Sequence, residues 1–404
     1  MRGTRGGKTV IERRTVFKAV LATGAAALAA ACSGGSNDGA AVPKGGNGDN
    51  GGKPVPPVAK LTASPAVGAK DASVREPVVV KVTEGKLTEV KLTNEGGDEI
   101  KGELAPDGLS WTSSEPLGYG KSYSYSAKAT GTDQRPVELT GSFSTVSPAK
   151  TVRATLNPGD DAEVGVAMPI SVKFNGGAPK DRAAVEKALK VKTSNDVEGS
   201  WAWLSPNQVD WRPKEYWPAN TTVEVEANLY GVDLGGGVYV KSDVSTKFKI
   251  GRNQVVKIHT PDHVMKVYRG GAESASYPCS NGLDSVVDRN TPNGTFIIMS
   301  KEPHAVFDNA RYGYTNVNKK WACRFSNHGE FIHENQDNAA AIGNTNNSHG
   351  CVNLLEADAK AYFDSAMIGD PVEVTGSKLG SPTNSDVKDW FYDWPTWKSL
   401  SAVK

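Results

Sequence analysis

Cysteine is scarce in this sequence, with 4 in 404 residues, at Cys32, Cys279, Cys323 and Cys351; there are only 6 histidines. No two cysteines have the paired C-x-x-C spacing of a structural zinc site, so a metal centre is not expected. An excess of one charge is also missing, since 46 basic residues face 45 acidic ones for a net charge of +1. That balance leaves no polyelectrolyte footprint for nucleic acid, and an anionic partner must be met by local groups. Apolar runs of the roughly 20 residues needed to cross a bilayer are lacking as well.

What is present begins with a short apolar stretch, Ala19 to Ala31, preceded by Arg2, Arg5, Lys8, Arg13, Arg14 and Lys18 and ending at Cys32. This is the pattern of an export signal peptide over residues 1–32. Ala29-Ala30-Ala31 before Cys32 resembles a bacterial lipobox, in which the cysteine is acylated and anchors the chain to the membrane. Arg13-Arg14 reads either as a twin-arginine signal or as an ordinary positive n-region. Residues 33–57 are Ser, Gly, Asn, Asp and Pro with almost nothing to bury, and are expected to form a flexible tether. An exported protein on the outer face of the cytoplasmic membrane, acting in the cell wall, is the expected setting.

The remaining length exceeds a single hydrophobic core and is rich in strand and turn formers, so several mainly β domains are expected. Trp111 to Ala127 and Trp211 to Ala227 align at one fixed offset, pairing Trp111 with Trp211 and Glu115 with Glu215. A period of about 100 residues suits an immunoglobulin-like sandwich. Tyr123-Ser124-Tyr125-Ser126 and Val223-Glu224-Val225-Glu226 alternate as half-buried strands do. Two tandem sandwiches, at 58–147 and 148–250, follow, with tryptophans read as core. Asp181 to Leu189 is the one helical interruption, capped by Asp181 and placed as a crossover.

From residue 251 the texture changes. Thr291-Pro292-Asn293-Gly294 marks a tight turn, Glu330 to His333 reads as a strand ending in a histidine, and Ser348-His349-Gly350-Cys351-Val352-Asn353 leads into a helix from about Leu355 to Met367. Thiol acyl transfer needs a thiolate, a base and oxyanion donors. A free cysteine is only slightly ionised at neutral pH, and a neighbouring imidazole activates it. Cys351 is the candidate nucleophile and His333 the candidate base. Gly350 allows backbone N–H groups to approach an oxyanion, and the nearby helix start is expected to add a positive field. His259, His263 and His304 have no such context and are read as structural. Cys279 and Cys323 read either as a disulfide or as two buried thiols.

His333, fourteen residues, and Ser348-His349-Gly350-Cys351-Val352-Asn353 together resemble the signature of L,D-transpeptidases with a YkuD-type catalytic domain. Thr291 to Thr295, Gly369 to Val374, the preceding sandwiches and the aromatic run Trp390 to Trp397 resemble the actinobacterial multidomain members. The resemblance implies a β-rich catalytic domain with one main helix at 251–376 and an aromatic tail at 377–404. It implies cysteine acyl transfer on peptidoglycan stem peptides, with release of D-alanine and formation of 3-3 cross-links. No cofactor is implied, and carbapenems are the implied inhibitors. By position, Cys351, His333, His349 and Gly350 are implied as catalytic. Asn353, Ser348, and His328 and Gly329 on the strand entering His333 are implied substrate contacts, with Trp321, Phe307, Tyr312 and Tyr314 as lid contacts. Glu334 stands where many members have Gly or Ser, and its carboxylate is expected to raise the pKa of His333 toward an imidazolium–thiolate pair. The competing reading is a non-catalytic peptidoglycan-binding lipoprotein with an enzyme-like domain. A sortase is disfavoured because no arginine occurs after Arg324. The aromatic tail is read as packing between the catalytic domain and the second sandwich, with glycan binding as the other reading.

Overall fold

The computed structural model describes residues 56–404. The expected export signal, Cys32 and tether residues 33–55 lie outside the described residues. Pro56 to Lys404 forms one compact unit.

Its first sandwich consists of β1 (Lys60–Ser64), β2 (Val79–Thr83), β3 (Gly85–Asn94), β4 (Gly102–Leu104), β5 (Ser110–Ser113), β6 (Ser122–Gly131) and β7 (Pro136–Ser144). One sheet has the order β1-β2-β5-β4 and the other β3-β6-β7. The expected alternation holds on β6, where Tyr123, Tyr125, Ala127 and Ala129 are buried and the serines and lysine between them are exposed or half-buried.

The second sandwich contains β8 (Lys150–Val152), β9 (Ala154–Asn157), β10 (Glu163–Val164), β11 (Ile170–Phe174), α1 (Arg182–Lys187), β12 (Leu189–Thr193), β13 (Gly199–Ser205), β14 (Gln208–Pro213), β15 (Thr222–Ala227), β16 (Val238–Val240) and β17 (Val244–Ile250). Its sheets run β10-β17-β15-β12 and β13-β14-β11-β9, repeating the order of the first sandwich with β10 added at one edge, while β8 and β16 pair in parallel. Helix α1 connects β11 to β12, and the Asp181 carboxylate accepts from the Ala184 N–H at 2.8 Å. The tryptophan repeat has a packing cause. Trp111 and Trp211 are each only 6% exposed, and each indole lies over a glycine of the neighbouring strand, Gly102 and Gly199. A Cβ on those glycines would sit 2.1 Å and 1.9 Å from the ring, so indole and glycine are a matched pair in both copies. These tryptophans are core, each contributing at most about 5 kcal/mol from burial.

The last part comprises β18 (Gln254–His259), β19 (Val264–Arg269), β20 (Ala272–Pro278), β21 (Gly294–Ile297), β22 (Ser300–Asn309), β23 (Tyr314–Arg324), β24 (Phe331–Glu334), β25 (Val352–Leu354), α2 (Glu356–Ser365), β26 (Pro371–Thr375) and α3 (Trp394–Ser399). A five-stranded sheet β20-β19-β18-β26-β21 and a four-stranded sheet β22-β23-β24-β25 enclose the core. Helix α2 buries Ala359 and Tyr362 against this core. Asp370, fully buried before β26, takes a two-pronged contact from Arg252 at 2.7 Å on each oxygen, tying the first strand of the domain to the last.

The second sandwich docks here through backbone bonds, Gly165 N–H to Ile368 O at 2.7 Å and Ala167 N–H to Gly369 O at 2.9 Å. The aromatic tail seals the same junction. Trp390 donates to the Ala167 carbonyl, Trp397 to that of Ser200, and Phe391 packs edge-on against Phe296. The tail therefore packs between catalytic domain and second sandwich. Cys279, just past the end of β20, and Cys323, in β23, are free, buried thiols, each with its pKa pushed up to about 12 by burial.

Candidate active site

The parallel pairing of β24 with β25 places His333 beside Asn353. Cys351 comes two residues before Asn353 and so lies on the same side of the sheet. A tight turn delivers it. The Ser348 hydroxyl donates to the Cys351 carbonyl at 2.6 Å and accepts from the Gly350 N–H at 3.1 Å. Gly350 has φ 113°, a conformation open to glycine and strained for other residues. Its carbonyl accepts from the buried Thr291 hydroxyl at 2.8 Å, which makes Thr291 part of the site, although residues 291–293, expected as a tight turn, form no turn and lead directly into β21. Arg289 clamps the turn by donating to the Asn347 and Ser348 carbonyls at 3.0 and 3.2 Å.

A cavity of about 380 Å³ opens over these residues, lined by Phe307, Tyr314, Lys319, His333, His349 and Cys351 among others. His333 is 5% exposed, and its Nδ1 donates to the Glu334 carbonyl at 2.5 Å. That bond fixes the tautomer and leaves the Nε2 lone pair as the basic site of a neutral imidazole. Burial is the main cause that lowers the His333 pKa to about 4, and the Lys319 charge adds to it, against the opposing effect of the Glu334 carbonyl. The expectation of a Glu334-raised imidazolium is thus corrected. The Glu334 carboxylate accepts from the N–H groups of Lys320 and Gln336 at 3.1 and 3.0 Å, and it is outweighed by the desolvation imposed on the ring. Phe307 contributes to that desolvation, its ring centroid 5.1 Å from that of His333.

The Cys351 thiol donates to the Gly329 carbonyl at 3.6 Å. Burial pushes its pKa up to about 12, with Glu330 adding to the effect and the Phe331 backbone N–H opposing it. The resting pair is therefore neutral thiol and neutral imidazole. The expected field from a helix start is also corrected: the three residues of β25, about 3.3 Å each, and the N-cap Leu355 separate Cys351 from α2, whose first turn carries Glu356 and Asp358.

Other expected site residues divide by position. His349 stacks on Tyr312 at 4.6 Å and near Tyr314 at 5.6 Å, and its pKa is lowered by burial and then by Arg289. Tyr312 caps it from the β22–β23 hairpin, whose tip is fixed by an Arg311–Asp288 ion pair and a 2.9 Å bond from the Tyr312 hydroxyl to the Asp288 carbonyl. Asn353 is 2% exposed, and its Oδ1 has no partner although the residue lines the cavity. Three placements differ from expectation. Trp321 does not line the cavity; it packs against Phe363 of α2 and under Lys360. His328 and Gly329 belong to a turn before β24 rather than to the strand, and Gly329 meets Cys351 only through its carbonyl. The Gly350 N–H, engaged by Ser348, serves the turn instead of pointing to an oxyanion.

The family described as the L,D-transpeptidase catalytic domain matches residues 253–374, and a bacterial Ig domain matches residues 69–233, a range spanning both sandwiches. The chain is 42% identical over 356 residues to L,D-transpeptidase 5 of Mycobacterium tuberculosis strain ATCC 25618 / H37Rv, covering 87% of this chain and 79% of that one. It belongs to the L,D-transpeptidase family. Similarity to L,D-transpeptidase 2 of M. tuberculosis strain CDC 1551 / Oshkosh is 36% over 354 residues, 85% of each chain. Among solved structures, the LD transpeptidase LdtMt1 in complex with imipenem is 32% identical with a TM-score of 0.47, covering 55% of this chain and 99% of that one.

In this L,D-transpeptidase three further residues shape the site without a sequence signal of their own. Arg289 is the clamp described above. Asn346 is a buried hub whose Oδ1 accepts from His263 Nδ1 at 3.0 Å and from the N–H and side-chain amide of Asn281, while its Nδ2 donates to the Thr260 carbonyl and to Asp284. Lys319, 9% exposed, reaches the cavity wall from β23. Arg289 and Lys319 come from segments remote in sequence from the Ser348 to Asn353 run, and Asn346, two residues before it, finds its partners at Thr260, His263, Asn281 and Asp284, so only the folded chain assembles the set.

Proposed function

We propose that this L,D-transpeptidase cross-links peptidoglycan stems by ping-pong acyl transfer, with Cys351 as nucleophile and His333 as acid/base. The observation carrying this reading is that both line one cavity while the His333 tautomer is fixed with Nε2 unprotonated. As Cys351 Sγ attacks the carbonyl of the third stem residue, Nε2 takes the thiol proton. The imidazolium then gives that proton to the nitrogen of the departing D-alanine, the C–N bond breaks, and a thioester remains. The side-chain amine of a neighbouring stem attacks the thioester, His333 accepts its proton and returns it to the sulfur, and a 3-3 cross-link forms. A resting neutral pair suits this cycle because charge appears only during attack.

The orphaned Asn353 Oδ1 is an acceptor for a substrate N–H. His349 and the turn held by Gly350 shape the oxyanion side, and Phe307, Tyr312 and Tyr314 form the lid. Carbapenems, whose strained carbonyl a thiol can open, acylate Cys351 in this reading. The chain works in the wall from the outer face of the membrane, anchored through Cys32.

Incubating the full chain with a tetrapeptide-stem donor, or with a carbapenem, and measuring intact mass and free D-alanine tests the mechanism. The expected result is an adduct on Cys351 and D-alanine release in wild type, and neither in Cys351→Ala. An adduct that persists in Cys351→Ala, or none in wild type, would sink the assignment.

A further inference from the structure

We propose that Lys319 is the specificity residue that binds the terminal carboxylate of the departing D-alanine; this rests on the Cys351/His333 reading. Lys319 is the one lysine or arginine among the described residues lining the catalytic cavity. Its side chain is 10% exposed, and its ammonium donates to Asn335 Oδ1 at 2.7 Å and to Asp337 Oδ2 at 3.0 Å. An ammonium has three donors, so one remains for a ligand in the cavity that the residue lines. Asp337 does not cancel this charge, because its own side chain is 91% exposed and water screens it, whereas the lysine is largely desolvated.

The position matches the chemistry of the leaving group. His333 must stand at the nitrogen of the departing D-alanine to protonate it, and in D-alanine the carboxylate is one carbon from that nitrogen. A cation beside the acid is therefore where the carboxylate arrives. Asn335, which holds Lys319, is two residues beyond His333, and the Lys319 charge acts directly on the imidazole. The Phe307 and Tyr314 side of the cavity provides no second cation. Once the carboxylate is bound it also offsets the effect of Lys319 on His333, which helps the ring hold the proton it must donate.

The test uses the full chain as wild type, Lys319→Met and Lys319→Arg, with two donors that differ only in ending in D-alanine or D-alaninamide. Initial rates of amine release are measured, with iodoacetamide labelling mapped to Cys351 as a check on the thiol. The wild type is expected to favour the free carboxylate by about ten- to a hundredfold in kcat/KM, the size of one charge-assisted hydrogen bond. Lys319→Met is expected to lose the preference by slowing on the carboxylate donor alone, and Lys319→Arg to retain most of it. Equal release of both donors by the wild type overturns this inference while leaving the Cys351 mechanism standing. So does an undiminished preference in Lys319→Met. Release of neither by the wild type overturns the Cys351/His333 reading and this inference with it. Should Lys319→Met expose Cys279 or Cys323 to label, the wild-type ratio and the arginine variant still decide.

Discussion

At His333 two neighbours act in opposite directions, and burial decides between them. The Glu334 carbonyl favours a proton on the ring, but removal from water and the Lys319 charge disfavour the cation, holding the pKa near 4 against an ordinary 6.5. The base must be unprotonated to act, so acylation is lost as pH falls through the folded value. A profile of Cys351 acylation against pH is expected to stay level from about pH 5 to about pH 8 and to fall only near 4. An inflection between about 6 and 7 would instead indicate the imidazolium–thiolate pair. Glu334→Gln is expected to leave the acid limb in place, because that carboxylate serves two backbone N–H groups and is the smallest influence on the ring. Residue identity alone pointed to Cys351 and His333, whose spacing is local, and the fold brings both to one cavity. The sign of the His333 shift was not legible, because it depends on Phe307 and Lys319 arriving from other strands.

The Ser348 to Cys351 turn is the element on which the site rests, and it is held from both ends. Adding a Cβ at Gly350 places it 3.3 Å from the Glu330 side chain at a φ of 113°. Gly350→Ala is expected to cost about 1–3 kcal/mol in stability and, by moving the thiol, to slow acylation. Upstream, Asn346→Ala removes the acceptor shared by His263 and Asn281 and the donor to Thr260 and Asp284. Leaving such buried groups unpaired is expected to cost about 2–4 kcal/mol, read as a lower denaturant midpoint. His263 thus has a structural role, as its lack of a motif implied. Strand parity explains the one misplaced aromatic. The φ of 55° at Asn316 shifts the alternation so that Val317 and Lys319 join Tyr314 at the cavity, and the φ of 55° at Trp321 takes that residue, implied as a lid contact by the resemblance, out of the Val317 and Lys319 series. Tyr314, Val317 and Lys319 face the cavity while Trp321 turns to α2.

For the molecule as a whole, the tail reinforces the backbone bonds that join second sandwich to catalytic domain, and Arg212 is its anchor. The guanidinium lies 4.4, 5.4 and 4.7 Å from the ring centroids of Trp390, Trp394 and Trp397, and it donates to the Asp389 and Tyr392 carbonyls at 2.9 and 2.8 Å. The tandem repeat and the tryptophan-rich tail were legible as a pattern, but their mutual contact was not, because residues about 180 apart meet at Arg212. The same junction buries two carboxyls, Asp210 at 1% and Asp389 at 2% exposure. Burial raises Asp210 to about 6, and burial with the Asp210 charge raises Asp389 well above the ordinary value, while Lys388 and Arg212 oppose these shifts. Both folded values exceed the unfolded ones. The pair therefore contributes stability that is full below about pH 4 and is lost as pH rises through about 6. His333 works the other way, since its depressed folded value favours the native state as pH rises from about 4 through 6.5. A single melting curve mixes the two, so the comparison must be between variants. Relative to wild type, Asp389→Asn is expected to gain melting temperature at about pH 8 and to gain little or to lose at about pH 5. An equal change at both pH values would show that the two carboxyls do not share a proton in the folded chain.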